Sequence, residues 1–325
     1  MDALDVLRSV FGTIMVPQSV IDELRTVRDE QEVRAEPSMT VAWHNGEFIR
    51  QEHTAEETAA RRSYIEEQIS RIEPACEVRP VSIPGEPSEL AALIYQSFGP
   101  HALDAANLAD AKHVLVSEDM YFRQYGEAAC STKGAWLQVV FSFALDLGIV
   151  NHRRYVDLVV GLAWRRHGHL ALNADVMLTA IREDQARDFG NFAALANFMG
   201  TRNAELRSHI NVCVEFLNQL WLEHGEFDLA CKRATSILIE RMVRFRSKDW
   251  ALVLAFIKRG CAPSIRQFLD GWLAGHCLSD DAVTAAGAEI EVVATQLRER
   301  RSARIVAGEP KTPRERVRRR RKRRR

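Results

Sequence analysis

Short apolar runs alternate with helical patterns over the first third of the chain. Residues 13–16 (Thr-Ile-Met-Val) and 114–116 (Val-Leu-Val) are brief apolar runs of the kind that form buried strands. Pro17 follows the first run and opens a segment that carries Val20, Ile21 and Leu24 on one helical face. Short strands that alternate with helices in this way predict an α/β unit with a parallel sheet.

The same kind of pattern predicts further elements and a change of character after Trp136. Asn45-Gly46 lies between two extended runs and predicts a hairpin over residues 40–51. From Trp136 onward, apolar residues recur at three- and four-residue spacing, which predicts helices almost throughout. The remaining elements expected before Trp136 are a strand at 76–83 and helices at 56–72, 88–98 and 103–112.

Composition restricts the class of protein. With 46% hydrophobic and 27% charged residues, the chain is typical of a globular protein and not of a disordered one. The absence of any run of eighteen apolar residues argues against a membrane span. Asp2 and Asp5 stand where a secretory signal would carry Lys or Arg, and the six cysteines form no CxxC pair. We therefore expect a cytoplasmic protein with reduced thiols.

Charge is distributed unevenly along the chain. Residues 298–325 contain fifteen Lys or Arg and three Glu, so the remainder of this neutral chain carries an equal excess of acid. The final eight residues are all Arg or Lys, a composition that predicts a disordered tail over 300–325. Such a tail is suited to binding nucleic acid through phosphates. The alternatives are a solvated tail or a strap that folds back on the acidic body.

Three acidic residues are candidates for chemistry because of the elements that carry them. Glu23 lies in the helix after the first strand, Asp104 begins a helix of small residues, and Asp119 follows the strand at 114–116. Ligand sites in open parallel sheets collect at the carboxyl ends of strands, and converging carboxylates suit Mg²⁺ or Mn²⁺. The alternatives are a solvated position for Glu23, a first-turn acid for Asp104 and a helix cap for Asp119. Glu118 competes with Asp119 for the ligand role.

The positions of the histidines give little support to a metal site or catalytic site beyond the three acids. His167 and His169 do not share a helix face and have no evident third ligand, so the spacing argues against a metal site. His101 lies near the candidate acids, but the sequence names no partner for it.

Three motifs resemble the PIN domain family. They are the run 16–24 (Val-Pro-Gln-Ser-Val-Ile-Asp-Glu-Leu), the run 104–111 (Asp-Ala-Ala-Asn-Leu-Ala-Asp-Ala) and the run 114–122 (Val-Leu-Val-Ser-Glu-Asp-Met-Tyr-Phe). The resemblance covers roughly the first 180 residues. It implies that Glu23, Asp104 and Asp119 bind Mg²⁺ or Mn²⁺ and hydrolyse RNA phosphodiesters, with Ser117 and Asn107 in supporting positions.

One departure from the family pattern changes the expectation. A PIN domain opens with a strand that carries its first catalytic Asp, whereas residues 1–7 match the end of the helix that follows that strand. The resemblance therefore implies a three-layer α/β/α fold with a parallel sheet whose first strand is missing, over residues 1–175. An all-α helical region at 176–299 and a disordered basic tail at 300–325 are expected to follow.

Two functions remain open at this stage. One is a metal-dependent endoribonuclease of the PIN type. The other is a non-catalytic PIN-like module whose helical region binds a protein partner and whose tail binds nucleic acid. Neither function involves a membrane.

Overall fold

The computed structural model describes residues 3–33, 38–44, 47–109, 112–184, 189–202, 205–225 and 227–306. The chain forms two compact units. The N-terminal unit comprises Met1–Val159 with Arg166–Gly168, and the C-terminal unit comprises Val160–Arg165 with His169–Arg325.

Helices and strands alternate along the N-terminal unit. Their order is α1 (Ala3–Phe11), β1 (Met15–Pro17), α2 (Gln18–Val33), β2 (Ser38–His44), β3 (Glu47–His53), α3 (Ala55–Ala75), β4 (Glu77–Arg79), α4 (Glu89–Phe98), α5 (Asp104–Leu108), β5 (Val114–Val116), α6 (Met120–Cys130), β6 (Lys133–Ala135) and α7 (Leu137–Asp146). Helix α8 (His152–Trp164) begins in this unit.

The described strands pair into three two-stranded sheets. Strand β1 pairs with β4 in parallel, with Val16 opposite Val78, and β5 pairs with β6 in parallel, with Leu115 opposite Gly134. Strands β2 and β3 form an antiparallel hairpin, with Trp43 opposite Phe48. The prediction of an α/β unit with parallel pairing is therefore confirmed, with the parallel strands in small sheets.

Side-chain caps and close packing fix the helices around β5. The Ser88 hydroxyl accepts a hydrogen bond from the Ala91 amide at 3.2 Å, which defines the start of α4. A small core forms from Ala91, Ile94, Leu103, Ala106 and Leu115. Helix α6 packs closely on this core through Gly126, where an added Cβ would lie 3.0 Å from the Leu115 side chain.

The C-terminal unit is helical in its described part. Its helices are the end of α8 together with α9 (Ala174–Glu183), α10 (Gly190–Ala196), α11 (Leu206–His224), α12 (Leu229–Val243), α13 (Trp250–Gly260), α14 (Pro263–Gly275) and α15 (Asp280–Val306). Phe192 stacks on Phe216 with ring centroids 5.2 Å apart. The buried Trp221 indole donates a 2.9 Å hydrogen bond to Thr235 Oγ1, so the apolar stripes of these helices enclose one core.

Several element boundaries differ from the sequence predictions. The strand expected at 76–83 covers only Glu77–Arg79, and the helix expected at 103–112 covers only Asp104–Leu108. Strand β6 was not predicted because Lys133, Gly134 and Ala135 form no apolar run. The parallel pairing with β5 holds these residues in an extended conformation.

The last described helix extends into the segment predicted as the basic tail. Helix α15 continues to Val306, because residues 296–304 are mostly good helix formers such as Gln, Leu, Arg, Glu and Ala. Residues 307–325 lie outside the described residues, and the prediction of a disordered tail there stays a prediction. No described helix is long and apolar enough to cross a membrane.

All six cysteines are free in the structure. Cys213, Cys231 and Cys261 are buried in the core of the C-terminal unit. Cys277 is exposed.

Candidate active site

Asp104 is a buried acid of the N-terminal unit. It occupies the first position of α5, and only 4% of its surface is exposed. Its Oδ2 accepts a 2.6 Å hydrogen bond from the Ser19 hydroxyl and lies 2.9 Å from His101 Nδ1. The first turn of a helix favours a negative charge, and the two partners compensate for part of its burial. His101, which had no partner in the sequence analysis, is therefore a neighbour of this carboxylate.

Glu23 lies on the helix that supplies Ser19 to Asp104. Residues four apart on a helix are neighbours on one face, so Glu23 lies one turn beyond Ser19 along α2. Glu23 itself is exposed. The structure thus places Glu23 on the helix face that includes the contact with Asp104, with its own side chain in solvent.

Asp119 serves as the N-terminal cap of α6. Its Oδ1 accepts hydrogen bonds from the amides of Tyr121 at 2.8 Å and Phe122 at 3.1 Å. The hydroxyl of Ser117 accepts the Asp119 amide hydrogen bond at 3.2 Å, so Ser117 shapes the turn that delivers the cap. This is the capping role that the sequence left open as the alternative for Asp119.

Glu118 points toward a different helix start. Its Oε1 accepts a 2.6 Å hydrogen bond from the Leu137 amide at the beginning of α7, and its Oε2 lies 3.0 Å from His167 Nδ1. Of the two competing acids, Glu118 is half-buried and Asp119 is exposed. Both carboxylates are therefore engaged at helix starts.

Asn107 is directed away from Asp104, toward α4 and α6. Its amide nitrogen donates a 2.8 Å hydrogen bond to the Tyr95 hydroxyl, and its amide oxygen accepts one from the Cys130 thiol at 3.3 Å. Burial raises the pKa of Cys130, which keeps the thiol in its donor form. Asn107 thus links α4, α5 and α6 and does not join the acidic residues.

The predicted acids do not form a metal-binding cluster as their side chains are placed. In the described part of the chain, no group of three or more His, Cys, Asp or Glu side chains is arranged to hold a metal ion. Hard divalent cations require several converging oxygen ligands. The described arrangement brings together Asp104, Ser19 and His101, but it does not fit the three-carboxylate set that the resemblance implied.

Sequence comparison identifies the part of the chain that carries these residues. Residues 1–128 match a family model described as "PIN domain associated with the TPR-GreAB-C-PIN system". No curated protein and no solved structure matches the chain. The matched segment extends from α1 into α6 and contains all three motifs on which the resemblance depended. The predicted resemblance is confirmed for this segment: residues 1–128 match a model of a PIN domain family.

Proposed function

We propose that the N-terminal unit is a PIN-type domain that hydrolyses RNA phosphodiesters, with an acidic site centred on Asp104. The single observation that carries this proposal is the burial of Asp104 with its contact to Ser19. Ser19 lies in the first turn of α2, which directly follows β1, so this contact puts the carboxylate beside the carboxyl end of a parallel strand. That end of a strand is where open α/β sheets bind ligands.

The oxygen atoms of Asp104 support a role in handling protons. Both of its contacts use Oδ2, and among the described residues no donor is bound to Oδ1. We assign Oδ1 the task of accepting a hydrogen bond from the attacking water. The Ser19 hydroxyl holds the carboxylate in a fixed orientation for that task.

Glu23 and Asp119 are the further acids of the proposed site. Glu23 is one turn from Ser19, and Asp119 follows β5 through Ser117. When bound to such acids, Mg²⁺ or Mn²⁺ neutralises charge on a phosphodiester. Because the described side chains do not fit the ion, we assign no reaction step to it.

We also propose the three-layer arrangement over residues 1–175 and a separate helical domain at 176–299.

A second function is favoured by the capping contacts. Glu118 and Asp119 both accept amide hydrogen bonds at helix starts, which makes them structural acids. A PIN-like module without cleavage would then bind nucleic acid through its basic tail and a protein partner through the helical unit. The description of the matched family as part of a TPR-GreAB-C-PIN system accords with a module that works beside other domains.

Cleavage of single-stranded RNA in Mn²⁺ distinguishes the two functions. The parent protein is compared with Asp104→Asn and with Asp146→Asn, which alters an exposed acid at the end of α7. The nuclease proposal expects cleavage by the parent and by Asp146→Asn, and at least a tenfold loss in Asp104→Asn. Equal cleavage by all three proteins would remove Asp104 from the mechanism. RNA binding without cleavage by the parent would establish the second function.

The contribution of the tail is tested separately. Deletion of residues 310–325 removes most of the basic excess, and the remaining chain is acidic. We expect RNA affinity to fall by at least tenfold at low salt and its salt dependence to become shallower. Unchanged binding after the deletion would contradict the role of the tail.

A further inference from the structure

A basic run in the C-terminal unit takes no part in the proposed site. Residues 241–248 (Arg-Met-Val-Arg-Phe-Arg-Ser-Lys) contain four Arg or Lys and no acid, although residues 1–297 as a whole carry an excess of acid. The run covers the end of α12 and the segment that follows it. Short runs rich in Lys and Arg are a common feature of nucleic-acid-binding patches. The alternative is that these arginines only cap the carbonyl groups at the helix end.

Packing brings a further arginine to this run. The guanidinium carbon of Arg202 lies 5.5 Å from the centroid of the Phe245 ring, and that of Arg244 lies 4.4 Å from the same centroid. Arg246 donates a 2.9 Å hydrogen bond to the carbonyl of Thr201, the neighbour of Arg202. Cation–π attraction to one ring therefore holds two guanidinium groups close together, with a third anchored nearby. We call Arg202, Arg244, Phe245 and Arg246 the arginine cluster.

Positive charges are crowded at the arginine cluster. In the part of the chain that the structure describes, no Asp or Glu forms an ion pair with its three guanidinium groups, and the nearby Glu240 pairs with Arg241 at 3.0 Å. Burial and the charge of Arg241 lower the pKa of Arg244, against an opposite effect of Glu240. An anion bound here would relieve this repulsion.

The arginine cluster is accessible and keeps donors for a ligand. Arg202 and Arg244 are exposed, and Phe245 is 41% exposed. A guanidinium group has five N–H donors, whereas the hydrogen bonds from Arg244 and Arg246 to loop carbonyls use one nitrogen of each. Capping of carbonyls therefore accounts for only part of their bonding capacity.

We propose that the arginine cluster binds the phosphodiester backbone of a single-stranded nucleic acid. Guanidinium groups bind phosphate through paired N–H···O hydrogen bonds and stack on unpaired bases. A strand supplies successive phosphates and exposed bases, so it can engage several of these groups at once, whereas a free phosphate offers one anion and no base. The site lies wholly in the C-terminal unit and depends on neither RNA hydrolysis nor the basic tail. Only the expectation that the strand is RNA rests on the proposed function.

Binding of a fluorescein-labelled oligouridylate to the full chain tests the proposal. Affinity is measured by anisotropy over a series of salt concentrations in EDTA, which prevents metal-dependent cleavage, so a failure of the nuclease proposal leaves this measurement unaffected. Arg202→Gln with Arg244→Gln removes two charges of the cluster. Arg182→Gln with Arg259→Gln is the matched control, because it removes two charges from the same unit that pair with surface carboxylates.

The salt dependence of affinity reports the number of phosphate contacts. We expect the cluster variant to bind about tenfold more weakly than the parent at low salt, with a slope of log affinity against log salt shallower by about 1.4, the share of two phosphates on a single strand. The control should match the parent, and an equal loss in the control would contradict the proposal. Arg202→Lys with Arg244→Lys keeps the charges and should keep the slope of the parent, which separates lost charge from a folding defect.

Amide hydrogen exchange locates the contact in the full chain, whose tail is also expected to bind the strand. The oligouridylate should slow exchange at residues 244–248 by about threefold or more in the parent but not in the cluster variant. Equal affinity and slope in the parent and the cluster variant, or no protection of 244–248, would overturn the proposal. Protection of 244–248 by inorganic phosphate at matched ionic strength, but not by the oligouridylate, would assign the cluster to a free phosphate and also overturn it.

Discussion

The Ser19 hydroxyl donates a hydrogen bond to Asp104 across 85 positions of sequence and thereby joins the starts of α2 and α5. A hydrogen bond to an ionised and buried acceptor is worth more than a neutral one, because its loss leaves the charge poorly solvated. The contact also orients the carboxylate around which the proposed site is organised.

Removal of this hydroxyl should destabilise the N-terminal unit. We expect Ser19→Ala to lower the stability of α5 by about 2 kcal/mol, since Asp104 keeps its burial and loses a donor. Amide hydrogen exchange in α2 and α5 measures the loss in this unit alone. Ser9→Ala is the control, because Ser9 donates to a backbone carbonyl on the exposed part of α1, and it should cost less than about 0.5 kcal/mol. Equal effects of the two changes would contradict the prediction.

Two substitutions of Asp119 distinguish its role as a helix cap from a role in RNA cleavage. We expect Asp119→Ala to destabilise α6 by about 1 kcal/mol, because two amides lose their acceptor. Asp119→Ser should preserve the cap, with a loss of stability of only about a few tenths of a kcal/mol relative to the parent. Thermal unfolding followed by circular dichroism measures both. If Asp119→Ser remains stable but loses Mn²⁺-dependent cleavage, the residue has a chemical role in addition to the cap. Retention of both properties would restrict Asp119 to capping.

Gly200 is required for close packing in the C-terminal unit. Its φ is +67°, and an added Cβ would lie 2.5 Å from the Arg241 carbonyl oxygen and 2.7 Å from the Met242 Cα. We expect Gly200→Ala to cost about 3 kcal/mol or more, since backbone strain and overpacking add. Gly225→Ala is the matched control, with φ of +78° and open space around the site, and it should cost about 1 kcal/mol. Urea denaturation of the two variants would show equal losses if packing at Gly200 were unimportant.

His209 makes the stability of the C-terminal unit depend on pH. Its Nδ1 accepts a 2.9 Å hydrogen bond from the Gly200 amide, and burial lowers its pKa below the ordinary value of 6.5. The unfolded chain therefore takes up this proton at a higher pH than the folded protein. The stabilisation is complete above about pH 6.5 and is lost as the pH falls from there toward the lower folded pKa.

Substitution of His209 should remove this dependence. We expect the midpoint of urea denaturation of His209→Gln to change little between pH 7 and pH 5, whereas the midpoint of the parent falls over that range. His276→Gln, which alters an exposed ring at the end of α14, should retain the decline of the parent. A parent curve that rises toward pH 5 would show that the sign is wrong.

The sequence predicted local features well and long-range partners poorly. Amphipathic periodicity identified the helices after Trp136, and the apolar run 114–116 identified β5, because each depends on neighbouring residues. The three PIN motifs were recognised for the same reason. The contact of Glu118 with His167 spans 49 positions, and no local pattern encodes it. Strand β6 depends likewise on its partner β5 and not on its own composition.

In the candidate site too, the sequence predicted the local features but not the long-range contacts. The helix start at Asp104 was predictable, and Pro17 signalled the start of the helix that carries Ser19. That this Ser donates to Asp104 depends on the packing of α5 beside β1, which the sequence alone does not specify. Conversely, Asn107 was placed with the acids because it lies in the same motif, whereas its side chain binds Tyr95 and Cys130. Whether Glu23 acts with Asp104 stays a prediction.

The hairpin of β2 and β3 has a consequence for any optical study of unfolding. Its described strands take their ladder hydrogen bonds only from each other, and its Trp43 is well exposed. A lone two-stranded ribbon is marginally stable in water and opens locally, long before a packed interior does. Trp221, by contrast, is enclosed in the helical interior. A fluorescence melting curve of the whole protein therefore superimposes an early signal from the ribbon on a late one from the interior.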